Sequence, residues 1–136
     1  MSSFKIFDIA GSGMSAQSVR LNTVASNLAN ADSVSGDPNN VYQARHPVFQ
    51  AILGSEQGSA SVSVTGIAQS QAAPETRYDP GNPLADAQGN VYAPNVNVVE
   101  EMADMISASR SYQNNVEVLN TSRDMMLDTL KLGSSS

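Results

Sequence analysis

Few residues in this 136-residue chain carry side chains that do chemistry. The single histidine, His46, stands before Pro47, with no cysteine anywhere in the chain and no cluster of acids beside it. A general base needs a reacting proton within reach and a group that orients it, so this imidazole is expected to be structural. Gly11-Ser12-Gly13 is a fragment of a phosphate-loop pattern, but it lacks the lysine of a P-loop and lies near the start of a helical pattern. Asp79, Asp86 and Asn90 could offer oxygen ligands to a cation, yet their spacing is not that of an EF-hand loop. They are expected to be solvated turn residues. No catalytic, cofactor-binding or metal-binding residue is assigned, and the chain reads as a non-enzyme.

What remains informative is how the packing residues are placed. All six prolines fall between Pro38 and Pro94, while both ends are free of proline and repeat apolar residues every seven positions. In the C-terminal segment one column runs Val98, Met105, Tyr112, Leu119, Met126, and a second runs Met102, Ser109, Val116, Arg123, Leu130. The N-terminal segment gives Phe7, Met14, Leu21, Leu28 and Ala10, Gln17, Val24, Ala31. Such columns lie along one face of a helix and predict a packed seam. The fold class that follows is mainly α, with N- and C-terminal helices (residues 1–31 and 97–136) pairing as a coiled-coil-like domain. Between them, residues 32–96 form a Pro/Gly-rich insert, partly β or extended.

The seams are imperfect at Gln17, Ser109 and Arg123, and the plainer alternative is two amphipathic helices of a small bundle. The outer surface of the N-terminal helix argues for more. From Ile9 to Ala31 its only charge is Arg20, and positions off the seam are Ser12, Ser15, Ser18, Asn22, Ser26, Asn27 and Asn30. A face meant for water usually carries Lys and Glu, whereas small neutral polar residues suit close packing against another polypeptide. Asn27 and Asn30 therefore join the seam residues Phe7, Met14, Leu21, Val24, Leu28, Val98, Met105, Tyr112, Val116, Leu119, Met126 and Leu130 as the candidate assembly interface.

Within the insert, Tyr42–Phe49, broken by Pro47, and Ser61–Ile67 are candidate strands, the first an edge strand at best. Residues 33–40 and 79–90 are rich in turn formers. An insert of this length is expected to be a small β unit or an arm draped over a neighbour. The C-terminal helix has clear punctuation: Asn97 can cap it, Glu100 and Glu101 suit its positive end, Lys131 suits its negative end, and Gly133 can follow as a stop. A helix from Asn97 to Leu132 would be about 54 Å long, longer than a small domain is wide.

The net charge of −6, from 13 acidic and 7 basic residues, offers no basic patch to neutralise phosphates and argues against nucleic acid. Without cysteine the chain can hold neither a disulfide nor a thiolate site. No Sec-type signal is apparent at the start, and no apolar run is long enough to span a bilayer, so direct membrane insertion is not expected.

The run Ala16-Gln17-Ser18-Val19-Arg20-Leu21-Asn22-Thr23-Val24-Ala25-Ser26-Asn27-Leu28-Ala29-Asn30-Ala31 resembles the N-terminal signature of the bacterial flagellar rod and hook family, with its Asn-Leu-Ala-Asn core. Asn95-Val96-Asn97-Val98-Val99-Glu100-Glu101-Met102, with residues 105–113 and 115–121 after it, is similar to the C-terminal part of that family's proximal rod members. So are Tyr78-Asp79-Pro80-Gly81-Asn82-Pro83 and Tyr92-Ala93-Pro94. Many relatives continue from the core into Thr-Pro-Gly-Tyr, whereas here Asp32-Ser33-Val34-Ser35-Gly36 follows Ala31. The resemblance implies a structural subunit of the periplasmic rod of the flagellar basal body, passing torque and lining the export channel. It also implies neighbours: the B-, F- and G-type rod proteins, the ring-to-rod adaptor FliE, and further copies of the chain. Delivery would be through the flagellar type III export apparatus, without a cleaved signal. The alternative is a soluble coiled-coil adaptor, which would need only one seam. Replacing Asn27 or Asn30 with Glu is expected to separate the two.

Overall fold

A computed structural model describes residues 3–54 and 60–134 of the chain. In chain order it contains α1 (Ser3–Asn30), a single 3-10 turn (Pro38–Asn40), β1 (Arg45–Leu53), β2 (Ala60–Gln69), β3 (Glu75–Tyr78), β4 (Asn90–Ala93) and α2 (Val98–Ser134). The two terminal helices stand close to their expected limits. Asn97 caps α2, its Oδ1 accepting from the amides of Val99 at 3.1 Å and Glu100 at 3.3 Å. The far end differs from expectation, because α2 runs through Gly133 to Ser134 instead of stopping there. One exposed glycine in a last turn costs a helix only about 1 kcal/mol, too little to end it.

The helices pack antiparallel. Arg20 of α1 meets Asp104 of α2, with Nε to Oδ2 at 3.2 Å and a second contact from its terminal nitrogen. Further along, Gly13 lies against Asn115, where a Cβ would come within 2.9 Å of Asn115 Nδ2. A Cβ at that point would have to push the Asn115 side chain aside. With 28 residues in α1 and 37 in α2, this register leaves roughly the last ten residues of α2 with no part of α1 opposite them.

All eight α1 seam positions are buried or half-buried, as their spacing predicts. In α2 the first column holds for Met105, Tyr112, Leu119 and Met126, but Val98 is exposed. The second column is displaced by one residue. Glu101, Ala108 and Ser122 are buried and Asn115 half-buried, while Met102, Arg123 and Leu130 face outward; Ser109 and Val116 flank the contact. Apolarity alone favours 102 over 101 as the second column. Helices that meet as closely as Gly13 and Asn115 instead select small side chains such as Ala108 and Ser122.

The insert folds as two separate antiparallel pairs, β1 with β2 and β3 with β4. The first pair begins three residues later than the expected Tyr42 and runs on to Leu53; Ser61–Ile67 falls inside β2. A register shift between Val48 and Phe49 leaves Thr65 unpaired on β2. Pro47 is tolerated because both strands of a two-stranded ribbon are edges. The short β3–β4 pair was not legible as strands. Tyr92 of β4 also exchanges two backbone hydrogen bonds of 2.8 Å with Ser35, so the chain just after α1 and the chain just before α2 are stitched together. Ala31, Val91 and Ala93 on these segments are buried, as is Ala44 just before β1.

Candidate assembly interface

Helix α1 is enclosed on two sides. One faces α2; the other is covered by the β1–β2 hairpin, which lies along the helix from Asn27 at its root to Ser12 near its tip. At the root, Asn27 is completely buried. Its Nδ2 donates to the Arg45 carbonyl (2.8 Å), and its Oδ1 accepts from the Arg45 amide (2.8 Å) and the Tyr42 hydroxyl (2.9 Å). Tyr42 Oη in turn lies 3.0 Å from Ser26 Oγ. The amide side chain thus pairs with Arg45 as a neighbouring strand would. Toward the tip, the Val62 amide donates to Ser12 Oγ at 3.1 Å.

Two residues expected on the outward face, Asn27 and Ser12, are therefore engaged by the chain's own insert. Asn30 is half-buried, its Nδ2 donating to the Ser26 carbonyl at 2.8 Å. The insert is an arm draped over its own helix. What stays open on α1 is a narrower stripe at seven-residue spacing, which includes Gly11, Ser15, Ser18, Asn22, Ala25 and Ala29. Because Asn27 is locked inside the monomer, Asn27→Glu would damage the fold before it reported on assembly.

The outward side of α2 has no such cover. Val99, Met102 and Ile106 near its start, and Val118, Met125, Leu127, Leu130 and Leu132 further on, are all exposed. Of these, the seam columns expected from the sequence hold only Met102 and Leu130. The others fall on two further seven-residue columns, Val99, Ile106, Leu127 and Val118, Met125, Leu132, which polar residues such as Gln113, Asn120 and Ser111 interrupt. The hairpin adds exposed Val48, Phe49, Ile52 and Leu53. Among the expected interface residues, Phe7, Met14, Leu21, Val24, Leu28, Met105, Tyr112, Val116, Leu119 and Met126 are half-buried or buried, whereas Val98 and Leu130 are open.

Polar groups elsewhere are employed structurally. Asp86 holds the loop between β3 and β4: Oδ1 accepts from the Gln88 and Asn90 amides, both at 2.9 Å, and Oδ2 from the Tyr92 hydroxyl at 3.0 Å. The Asn90 amide above all keeps this carboxyl below its ordinary 3.8; partial burial opposes the shift, and Tyr92, Gln88 and Gly89 reinforce it. Tyr92 is raised above its ordinary 10.0 by donating to that carboxylate. Gly89 takes the left-handed conformation that closes this turn, with φ of 80°. Asp79 accepts from the Asn82 amide side chain at 3.3 Å. Gly11-Ser12-Gly13 is helical and His46 is an exposed strand residue. Glu101 Oε2 is buried without a hydrogen-bond partner, in the first turn of α2 where the helix dipole favours negative charge.

Comparison with known proteins agrees with an assembly role. The model of the family described as "Flagella basal body rod protein" matches residues 7–36, and that described as "Flagellar basal body rod FlgEFG protein C-terminal" matches residues 87–132. These two spans contain most of α1 and nearly all of α2. The chain is 56% identical over 133 residues to the flagellar basal-body rod protein FlgC of Salmonella typhimurium, covering 98% of this chain and 99% of that one. The FlgC of Yersinia enterocolitica is 55% identical with the same coverage, and that of Agrobacterium fabrum 42% identical over 125 residues, 91% of this chain and 90% of that one. Identity of this extent, spanning both helices and the insert between them, makes the chain a member of the flagellar basal-body rod protein FlgC family.

Proposed function

We propose that this chain is a structural subunit of the proximal rod of the bacterial flagellum, where it passes torque through the periplasm and helps line the export channel. The observation that carries this reading is the exposed apolar length of α2, on a chain whose relatives are rod proteins. A free monomer gains nothing by showing Val99, Met102, Ile106 and Leu130 to water. A subunit of a multilayered tube buries them against neighbours, and many such contacts share the load. The seven-residue spacing of the α1–α2 contact fits coiled-coil-like pairing.

The partners this reading names are the B-, F- and G-type rod proteins, FliE and other copies of the chain, reached after type III export without a cleaved signal. Burial completed only on assembly suits a subunit that must travel unfolded and order on docking. Deletion of the chain, followed by complementation, tests the reading. The wild-type chain is expected to restore swimming and rods in isolated basal bodies. Restoration by a chain with Met102→Asp and Ile106→Asp together would overturn it.

A further inference from the structure

Methionine is the only sulfur-bearing side chain in this protein, because the chain has no cysteine, and it has no tryptophan either. A peroxide therefore meets thioether sulfur before any other readily oxidised side chain. Of the six methionines, Met1 lies outside the described residues, and the other five divide by position. Met14, Met105 and Met126 are half-buried, all three in the columns that form the α1–α2 contact. Met102 and Met125 are 53% and 66% exposed on the outer side of α2. The division falls between near neighbours: Met125 faces out where Met126 faces in, and Met102 faces out three residues before Met105. One outward methionine thus stands toward each end of the helix, the two about 34 Å apart along its axis. Met102 lies beside exposed Val99 and Ile106, and Met125 in the column of exposed Val118 and Leu132.

We propose that Met102 and Met125 are oxidation sites whose sulfoxides keep a folded chain out of the assembly, an inference that rests on the rod reading above. The oxidant is a peroxide. The sulfur lone pair attacks one peroxide oxygen, the O–O bond breaks, and the second oxygen leaves with both protons as water when the reagent is hydrogen peroxide. Sulfur loses two electrons and the peroxide gains them. The product carries a strongly polar S=O group where an apolar thioether stood. At a side chain that already faces water this group keeps its hydration, and the fold loses nothing. Against an apolar neighbour the same group must shed water without a hydrogen-bond partner, which opposes docking. Oxidation at Met102 and Met125 therefore acts on assembly, whereas oxidation at Met14, Met105 or Met126 acts on the helix pair itself. Docking in turn shields the outer sulfurs, so the sensitive period ends when the subunit is in place.

Purified full-length chain, treated briefly with dilute hydrogen peroxide and mapped by mass spectrometry, is expected to carry sulfoxide at Met102 and Met125 several-fold sooner than at Met14, Met105 and Met126. Its helical circular dichroism should not change. Isolated basal bodies given the same treatment are expected to show both outer positions protected. Met102→Gln with Met125→Gln sets a polar side chain of similar length and helix propensity at each site. In cells lacking the native chain, this pair should swim far less than Met102→Leu with Met125→Leu. Sulfoxide forming as fast at Met105 or Met126, loss of helix in the mildly oxidised chain, or equal swimming of the two pairs would each overturn the proposal. The basal bodies separate the two levels. If they contain the chain but leave Met102 and Met125 as reactive as in the free protein, the oxidation inference fails; if they contain no copy of the chain, the rod reading fails.

Discussion

The two helices were given opposite tasks by the same chain. Helix α1 has its partners supplied internally, α2 on one side and the hairpin on the other, and past Phe4 and Asp8 at its start the open stripe consists of small residues and Asn22. Helix α2 is held along one face and shows large apolar side chains over much of the rest. The difference teaches where the monomer ends and the assembly begins. Substitutions on the enclosed surfaces of α1 should register as loss of fold, and substitutions on the outer face of α2 as loss of assembly.

The largest effect is expected at Asn27. Asn27→Leu keeps the branched shape in a slightly larger side chain but takes away the partner of the Arg45 amide and carbonyl and leaves the Tyr42 hydroxyl with Ser26 alone. Unsatisfied groups of this kind cost about 1–3 kcal/mol each, so a loss of roughly 3 kcal/mol is expected in chemical denaturation. A loss below about 1 kcal/mol would mean that the hairpin root is not held by this side chain. Next in size is Gly13→Leu, which must displace Asn115 and with it this part of α2, and is expected to cost about 1–3 kcal/mol. Gly13→Ala should be near neutral. The gain of about 0.5–1 kcal/mol in helix propensity offsets the displacement of a movable Asn115 side chain.

Much of α1 and α2 could be read from the sequence because proline exclusion, seven-residue spacing and the Asn97 cap are local signals. The one-residue displacement of the α2 seam could not, since Ala108 and Ser122 are chosen by how closely another helix approaches. The burial of Asn27 was equally hidden. A helix shows that a polar residue lies off the main seam, but not that its own chain returns through Arg45 to cover it. Strands β3 and β4 pair across a loop whose closure depends on Asp86 and Gly89, so their four-residue segments carry no pattern of their own.

A smaller and more local effect is expected from pH at the Asp86 loop. The folded carboxyl lies below its ordinary 3.8, so its contribution is complete above that value and fades as pH falls through the lower folded value. Protection of the Gln88 and Asn90 amides, measured against their intrinsic exchange rates, should fall on acidification while the α1–α2 contact is still intact. Asp86→Asn should remove this acid sensitivity. Tyr92 works in the other direction: its raised value means its share holds below pH 10 and is lost as pH climbs past the folded value. Uniform loosening of helices and loop together on acidification would show that this fastening is not separate from the helical body.

The smallest effect on the free chain, and the most telling for the comparison, belongs to the outside of α2. Met102→Ser with Ile106→Ser removes two exposed apolar side chains that touch neither α1 nor the hairpin tightly enough to be covered. Surface changes of this sort usually alter stability by no more than about 0.5 kcal/mol, and helicity should be unchanged. If these residues face other rod subunits, the same pair should nevertheless impair swimming when the variant replaces the native chain. Asn27→Leu would also impair swimming, but only together with measurable unfolding. A variant of α2 that loses stability as Asn27→Leu does, or one that swims normally, would erase the division between a helix completed by its own chain and a helix completed by its neighbours.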